Sequence, residues 1–493
     1  MVKPLANDEL SDLSIYQLSR LIRSEEITSK QLVELYLERI QRYGGKNHTN
    51  AYITVTAVQA LKQAEKLDRL VKRKQFKGPL HGLPIAIKDN LDTKGIRTTA
   101  GSIILSDWYP QRDAHVVKKL KEAGAVIIGK TNMAEFAFGA TTNNPHYGSA
   151  RNPYDLTRIP GGSSGGSAAA TAAGLCAASI GTDTGGSVRI PAALCGVVGL
   201  KPTLGRVGRG GSMYLSFTRD VIGPITRTVT DAAIMLQTIA GKDHRDPESS
   251  SNRVPKYSAL LEKGSLKGKK FGLPRKFFFE VIHQDTQSAV DEAIREIQKM
   301  GGIVKEVEVK HIDLQPSMIS TVFAECVYLI ERYLSEFDPG ATIDKYLDQL
   351  GPHTKSILSR QKGTPEAKPV PGYAYIKSVR DNRNKMIAGF EDAMVGLDAL
   401  VFPTTLLPAT KIGAEELEIE VQGQKFSTFE ALRRNCNPIN VIGYPAITVP
   451  AGYSEAGLPI GLQMVVRPWE EDKLLSMAYA FEEATHIRKA PKL

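Results

Sequence analysis

A layered α/β fold is what this sequence predicts, and two features carry the prediction. Helix–glycine–strand units recur along the chain, and short apolar runs of strand length alternate with stretches whose apolar residues fall at helical spacing. Two helices open the chain. Ser14 with Gln17, and Thr28 with Gln31, have capping-box spacing, and Gly44-Gly45 stops the second helix. Ile85 to Ile87 is short and β-prone. Residues 114–123 read as a helix, Gly124 ends it, and 125–128 read as a buried strand. The same unit returns as helix 290–300, Gly301-Gly302 and strand 303–309. Further strands are expected at 399–402, 446–449 and 460–466, the last followed by a helix through Ala484. Two stretches, about 243–275 and about 350–372, are rich in Pro, Lys and polar residues and read as surface excursions. Neither resembles a linker between independent folds, so one domain over 1–493 is expected.

Composition narrows the function class. With 42% hydrophobic and 24% charged residues in 493, a large core is available. No apolar run reaches the length of about 18 residues that spans a membrane, and the first residues lack the apolar core of a secretory signal. The four cysteines are scattered without CxxC spacing, which points to buried thiols in a reducing compartment and hence to the cytoplasm. The net charge of +10 lies partly in short runs such as Lys72-Arg73-Lys74. No basic stripe interleaved with aromatics is present, so a solvated surface and no nucleic-acid partner are expected. None of the nine histidines pairs closely with another His or Cys, so neither metal nor cofactor is expected.

Two motifs match a formula and fail its context. Gly124 to Thr131 spells a phosphate loop, but its interior is Ala-Val-Ile-Ile, a strand rather than a loop opening a helix. Gly161-Gly162-Ser163-Ser164-Gly165 spells a nucleophile elbow, yet the preceding residues are polar and carry two prolines, and no downstream His is marked as a base.

The strongest signal runs from Gly161 to Thr203. Two glycine-rich loops each open a helix, and a small-residue stretch, Ala168 to Gly174, lies between them. Glycines let backbone N–H groups approach a ligand, and a helix N-terminus favours developing negative charge. Ser187 sits where the second loop becomes a helix, and Pro191 falls early enough to be tolerated. A hydroxyl nucleophile needs a base. Lys88, at the end of a short apolar strand and before Asp89-Asn90, is a candidate, since a lysine accepts a proton only when neutral and burial disfavours its charged form. Read alone, Lys88 is an ordinary ion-pair lysine rather than a base.

The run Gly161 to Thr203 resembles the signature of the amidase signature family. The likeness extends back through Gly82 to Asp89 and Gly129 to Met133, and forward to Gly223-Pro224 and Gly457 to Gln463. It is densest over about 80–230, thinnest over about 240–395, and returns in the C-terminal segment 396–493. The resemblance implies an α/β/α fold with a large central mixed sheet covered by helices on both sides. It implies a Ser–cis-Ser–Lys apparatus: nucleophile Ser187, cis-Ser Ser163, base Lys88. The oxyanion hole would be the N–H groups of Thr184, Gly185, Gly186 and Ser187, with Ser164, Asp183 and Arg189 holding both loops. The implied activity is hydrolysis of small linear carboxamides through an acyl-enzyme.

Within that family one alternative is the A subunit of the tRNA-dependent amidotransferase, which releases ammonia from glutamine for a partner subunit. This chain departs from that pattern. Ala134 stands where Asp is typical, Ile190 replaces a glutamine, 210–220 lacks the expected wording, and no glutamine-anchoring arginine segment is recognisable over 365–395. The expectation is therefore a stand-alone amidase, nearer to aryl acylamidases, with Met133, Phe136, Phe138, Tyr214 and Phe217 in pocket-wall segments. Ordinary core packing is the competing reading of those aromatics. A small-molecule amide is the expected partner; a homo-oligomer is left open.

Overall fold

Strands form where the chain carries short apolar, β-branched runs that helices can cover on both faces. In chain order they are β1 (Tyr52–Val55), β2 (Pro84–Lys88), β3 (Val126–Thr131), β4 (Ala178–Asp183), β5 (Val198–Lys201), β6 (Val221–Thr226) and β7 (Lys270–Leu273). They continue with β8 (Ile303–Glu306), β9 (Ala399–Pro403), β10 (Glu418–Val421), β11 (Gln424–Ser427), β12 (Ala446–Tyr453) and β13 (Pro459–Val465). The computed structural model describes residues 7–261, 264–362, 369–413 and 418–493. Strands β10 and β11 form a separate hairpin, and the other eleven make one mixed sheet, ordered β1-β3-β2-β4-β6-β5-β12-β13-β9-β7-β8.

Parallel pairing holds at β3-β2-β4 and at β9-β7-β8; the remaining neighbours run antiparallel. Every residue of β2, β3, β4, β9 and β13 is buried. Helix Gly165–Ala172 packs on β2, β4 and β6, helix Arg189–Leu194 on β5, β12 and β13, and helix Gln284–Lys299 on β12 and β13. The mixed sheet flanked by helices is the architecture expected from sequence. Among the described residues no helix is long and apolar enough to cross a membrane, and all four cysteines are free and buried.

Both capping boxes form, with Gln17 N–H donating to Ser14 Oγ at 3.2 Å and Gln31 N–H to Thr28 Oγ1 at 3.1 Å. The phosphate-loop formula is occupied by β3. Its lysine, Lys130, is fully buried, donates to Thr98 Oγ1 at 2.6 Å and pairs with Asp89 at 3.4 Å, so it serves the core. Some boundaries differ. The helix read as 290–300 begins at Gln284, because His283 Nδ1 caps it by accepting from Asp285 N–H at 3.2 Å. The strand read as 303–309 ends at Glu306, and the excursion near 243–275 includes β7. The excursion near 350–372 contains helix Pro352–Lys362, with Pro352 at the first helical position where its missing N–H costs nothing; its residues 363–368 lie outside the described ones.

One contact tests the sheet register. A Cβ on Gly223 of β6 would fall 2.0 Å from the Leu200 carbonyl oxygen on β5, whereas one on Gly45 would meet nothing within 4 Å. Gly223→Ala is expected to lower stability by about 3 kcal/mol, as overpacking against a fixed backbone does. Thermal or denaturant melts beside Gly45→Ala check this; equal midpoints for the two variants would contradict the β5-β6 pairing.

Candidate active site

Strand β4 ends at Asp183, and the chain must then turn sharply to begin helix Arg189–Leu194. The Asp183 carboxylate makes the turn. It accepts from Gly186 N–H at 2.7 Å and Val188 N–H at 3.1 Å, and it holds Arg189 bidentately, at 3.1 Å to both Nε and Nη2. Both side chains are fully buried. Burial alone would raise the Asp183 pKa, but the Arg189 guanidinium outweighs it and keeps this carboxyl well below the usual carboxylate range. Asn440 Nδ2 adds donations to the Asp183 carbonyl at 2.9 Å and carboxylate at 2.8 Å. Gly186 has φ of +123°, and a Cβ there would lie 2.6 Å from Cys436 Cβ, so only glycine fits the turn.

The second loop meets the first over the end of β2. The Gly162–Ser163 peptide is cis. Lys88 Nζ lies 2.7 Å from Ser163 Oγ and 2.8 Å from Thr182 Oγ1, and both Lys88 and Ser163 are fully buried. Among the described residues no carboxylate comes within ion-pairing distance of Lys88, unlike Lys130. Burial pushes the Lys88 pKa down to about 7, against smaller opposing effects of Asp220 and Asp183. Ser164 Oγ donates to the Thr182 carbonyl at 3.2 Å, tying the two loops together. Thr142 Oγ1 braces the same loop, donating to Gly161 O at 2.8 Å and accepting from Gly165 N–H at 3.0 Å. Neither Thr182 nor Thr142 was singled out from sequence; Thr182 lies inside the glycine-rich run, while Thr142 carries no local signal.

Ser187 is 9% exposed, the reachable member of this group. Its Oγ makes no hydrogen bond to a described residue. Of the four N–H groups expected to serve an oxyanion, that of Gly186 is already committed to Asp183. Thr184, Gly185 and Ser187 remain as donors.

Ser187, Thr184 and Gly185 open on a narrow pocket of about 90 Å³. Phe138 lines it as expected. The other expected wall residues lie elsewhere. Met133 and Phe136 are fully buried in the adjoining core. Tyr214 lines a separate cavity of about 500 Å³, because Arg332 donates to its hydroxyl at 2.9 Å and the Arg209 guanidinium stacks 4.9 Å over its ring. Phe217 packs edge-on against Tyr214 at 6.1 Å. The pocket wall instead includes Phe323, His353, Phe429 and Arg433, from segments far along the chain.

Known proteins share both the sequence and this fold. The family model described as Amidase matches residues 31–475. The A subunit of a glutamyl-tRNA(Gln) amidotransferase from Geobacter sp. (strain M21) is 40% identical, with 98% of this chain and 100% of that protein covered. Among solved structures, the peptide amidase of Stenotrophomonas maltophilia superposes with a TM-score of 0.87 at 33% identity, covering 97% and 98% of the two chains. The amidotransferase A subunit from Thermotoga maritima gives 0.78 at 32%, covering 98% of each. A bacterial aryl acylamidase gives 0.86 at 24%, which speaks to the fold alone. The expected nearness to aryl acylamidases is thus corrected: full-length likeness at 40% identity runs to amidotransferase A subunits.

The Lys88 geometry fixes a pH dependence. If Lys88 must be neutral to accept a proton, kcat/KM for amide hydrolysis falls as pH drops through about 7 and is level above it. Asp183 stays ionised throughout that range, and Asp220, raised by burial to about 6, titrates just below it. Lys88→Arg is expected to be inactive by at least about 1000-fold, since guanidinium stays protonated. A flat profile from pH 6 to 9, or an active arginine variant, would remove Lys88 from the proton path.

Proposed function

Because the chain belongs to the Amidase family, we propose that it hydrolyses carboxamides through an acyl-enzyme on Ser187. The observation that carries this reading is the buried Lys88, with no carboxylate partner among the described residues, set 2.7 Å from Ser163. Neutral Lys88 accepts the Ser163 hydroxyl proton while Ser163 accepts that of Ser187, and Ser187 Oγ bonds to the amide carbon. Charge on the carbonyl oxygen is met by the N–H groups of Thr184, Gly185 and Ser187, each worth about 3 kcal/mol in sites of this kind. The proton now on Lys88 returns through Ser163 to the leaving nitrogen, the C–N bond breaks, and water repeats the sequence on the ester.

Full-length likeness to amidotransferase A subunits supports glutamine as the amide, hydrolysed for a larger assembly. A free-standing amidase is the second reading. It is favoured by the pocket, whose wall among the described residues holds Arg433 and no carboxylate to receive the α-ammonium of glutamine, and by the close superposition on a peptide amidase.

Ammonia release by the purified chain from glutamine and from propanamide separates the two. The first reading expects the higher kcat/KM for glutamine, the second for propanamide. Under either, Ser187→Ala loses at least about 1000-fold; a smaller loss would overturn the acyl-enzyme itself.

A further inference from the structure

Arg433, at the wall of the Ser187 pocket, is a buried cation with no counter-ion among the described residues. Its side chain is 8% exposed. Nη2 donates to Asn437 Oδ1 at 2.5 Å, and the guanidinium stacks 4.7 Å over the Phe429 ring. Among the described residues no carboxylate lies within ion-pairing distance of it. Acids nearby are otherwise engaged. Glu430, one turn earlier, is held in a capping box by Ser427, and Glu325 is held by Ser216, Thr218 and the Tyr375 hydroxyl. A second buried arginine, Arg219, also donates to Asn437 Oδ1, at 3.2 Å, so two cations converge on one neutral amide. The pair sits against the nucleophile loop: a Cβ on Gly185 would be 3.2 Å from Asn437 Oδ1 and 3.5 Å from Arg433 Nη2.

Such an arrangement is costly when empty. Guanidinium N–H groups taken from water need acceptors, and two like charges at close range repel. Burial first, and then the charge of Arg433, hold Arg219 down to about 9; burial holds Arg433 down to about 10. Either a substrate group supplies the missing acceptor or the cation supports the oxyanion loop through space. The first explains why the guanidinium borders the pocket; the second does not require it to.

We propose that Arg433 receives a carboxylate carried by the substrate, so that the site prefers amides bearing a free acid over neutral amides of the same length. A planar guanidinium offers two parallel N–H donors to a carboxylate, a geometry lysine cannot match. The inference rests on hydrolysis at Ser187 and holds for either substrate reading, since glutamine also brings a carboxylate.

The test measures kcat/KM for ammonia release from the monoamides of succinic, glutaric and adipic acid against butanamide, pentanamide and hexanamide. N-butanoylglycine against N-butanoylethylamine places the acid on the amine side. For the best-matched pair the acid is expected to win by about 10-fold to 100-fold, the worth of one charged hydrogen-bonded contact. In Arg433→Gln the acid-to-neutral ratio falls to about one, because the acid amides lose more than the neutral ones, and Arg433→Lys recovers part of it. Protection of Ser187 from a fluorophosphonate by glutarate, compared with pentanoate, answers the same question without turnover or a variant. No acid preference in either series, or equal loss on acid and neutral amides in Arg433→Gln, would overturn the proposal and assign Arg433 to loop support. Loss of all Ser187-dependent turnover and labelling in the unaltered chain would instead sink the hydrolase reading beneath it.

Discussion

The buried ion pair between Asp183 and Arg189 is the constraint on which the rest of the site depends. Six residues apart in sequence, they close the loop that carries Thr184, Gly185, Gly186 and Ser187. Arg189 then reaches outward, to Gln463 on β13 and to Cys436 O and Asn440 Oδ1 in the segment before β12. One guanidinium thereby joins the nucleophile loop to the C-terminal part of the sheet. A buried pair gains little net stability over a well-packed apolar substitute, but removing one partner is expensive, about 3 to 5 kcal/mol. What the pair supplies is shape: the carboxylate holds the Gly186 N–H inside the turn, while Thr184, Gly185 and Ser187 line the pocket.

Lys88 plays the opposite part. Among the described residues three lysines are fully buried, Lys88, Lys130 and Lys201. Lys130 has Asp89 for a partner and Lys201 donates to the Pro202 carbonyl at 3.0 Å. Burial draws both Lys88 and Lys201 down to about 7, so a depressed pKa does not single out a base. Position separates the three: Lys88 lies beside the cis-Ser163 hydroxyl, with Thr182 steadying its amine. A buried basic group with no carboxylate partner among the described residues recurs at Arg433, which borders the pocket instead of the Ser163 hydroxyl.

Much of this was legible in the chain itself. Strand and helix existence followed from periodicity, because fully buried strands read as continuous apolar runs. The glycine-rich stretch marked both loops, since a turn at φ of +123° beside Cys436 admits no side chain. The pocket was not legible. Its wall draws Phe323, His353, Phe429 and Arg433 from segments brought together only by tertiary packing. Tyr214, at the neighbouring cavity, and Phe217, packed against it, are instead held by Arg209 and Arg332. The commitment of Gly186 N–H was equally hidden, for it depends on which way a carboxylate three residues earlier points.

The most direct measurement on this account is the turnover number of Asp183→Asn, read beside its circular dichroism. The substitution keeps size and removes the charge that gathers the loop. With native-like secondary structure retained, kcat is expected to fall at least about 100-fold, the loss typical when oxyanion donors are displaced, and Ser187 should label with a fluorophosphonate correspondingly more slowly. A folded Asp183→Asn protein turning over amides at a near-native rate would contradict the claim that this ion pair builds the site.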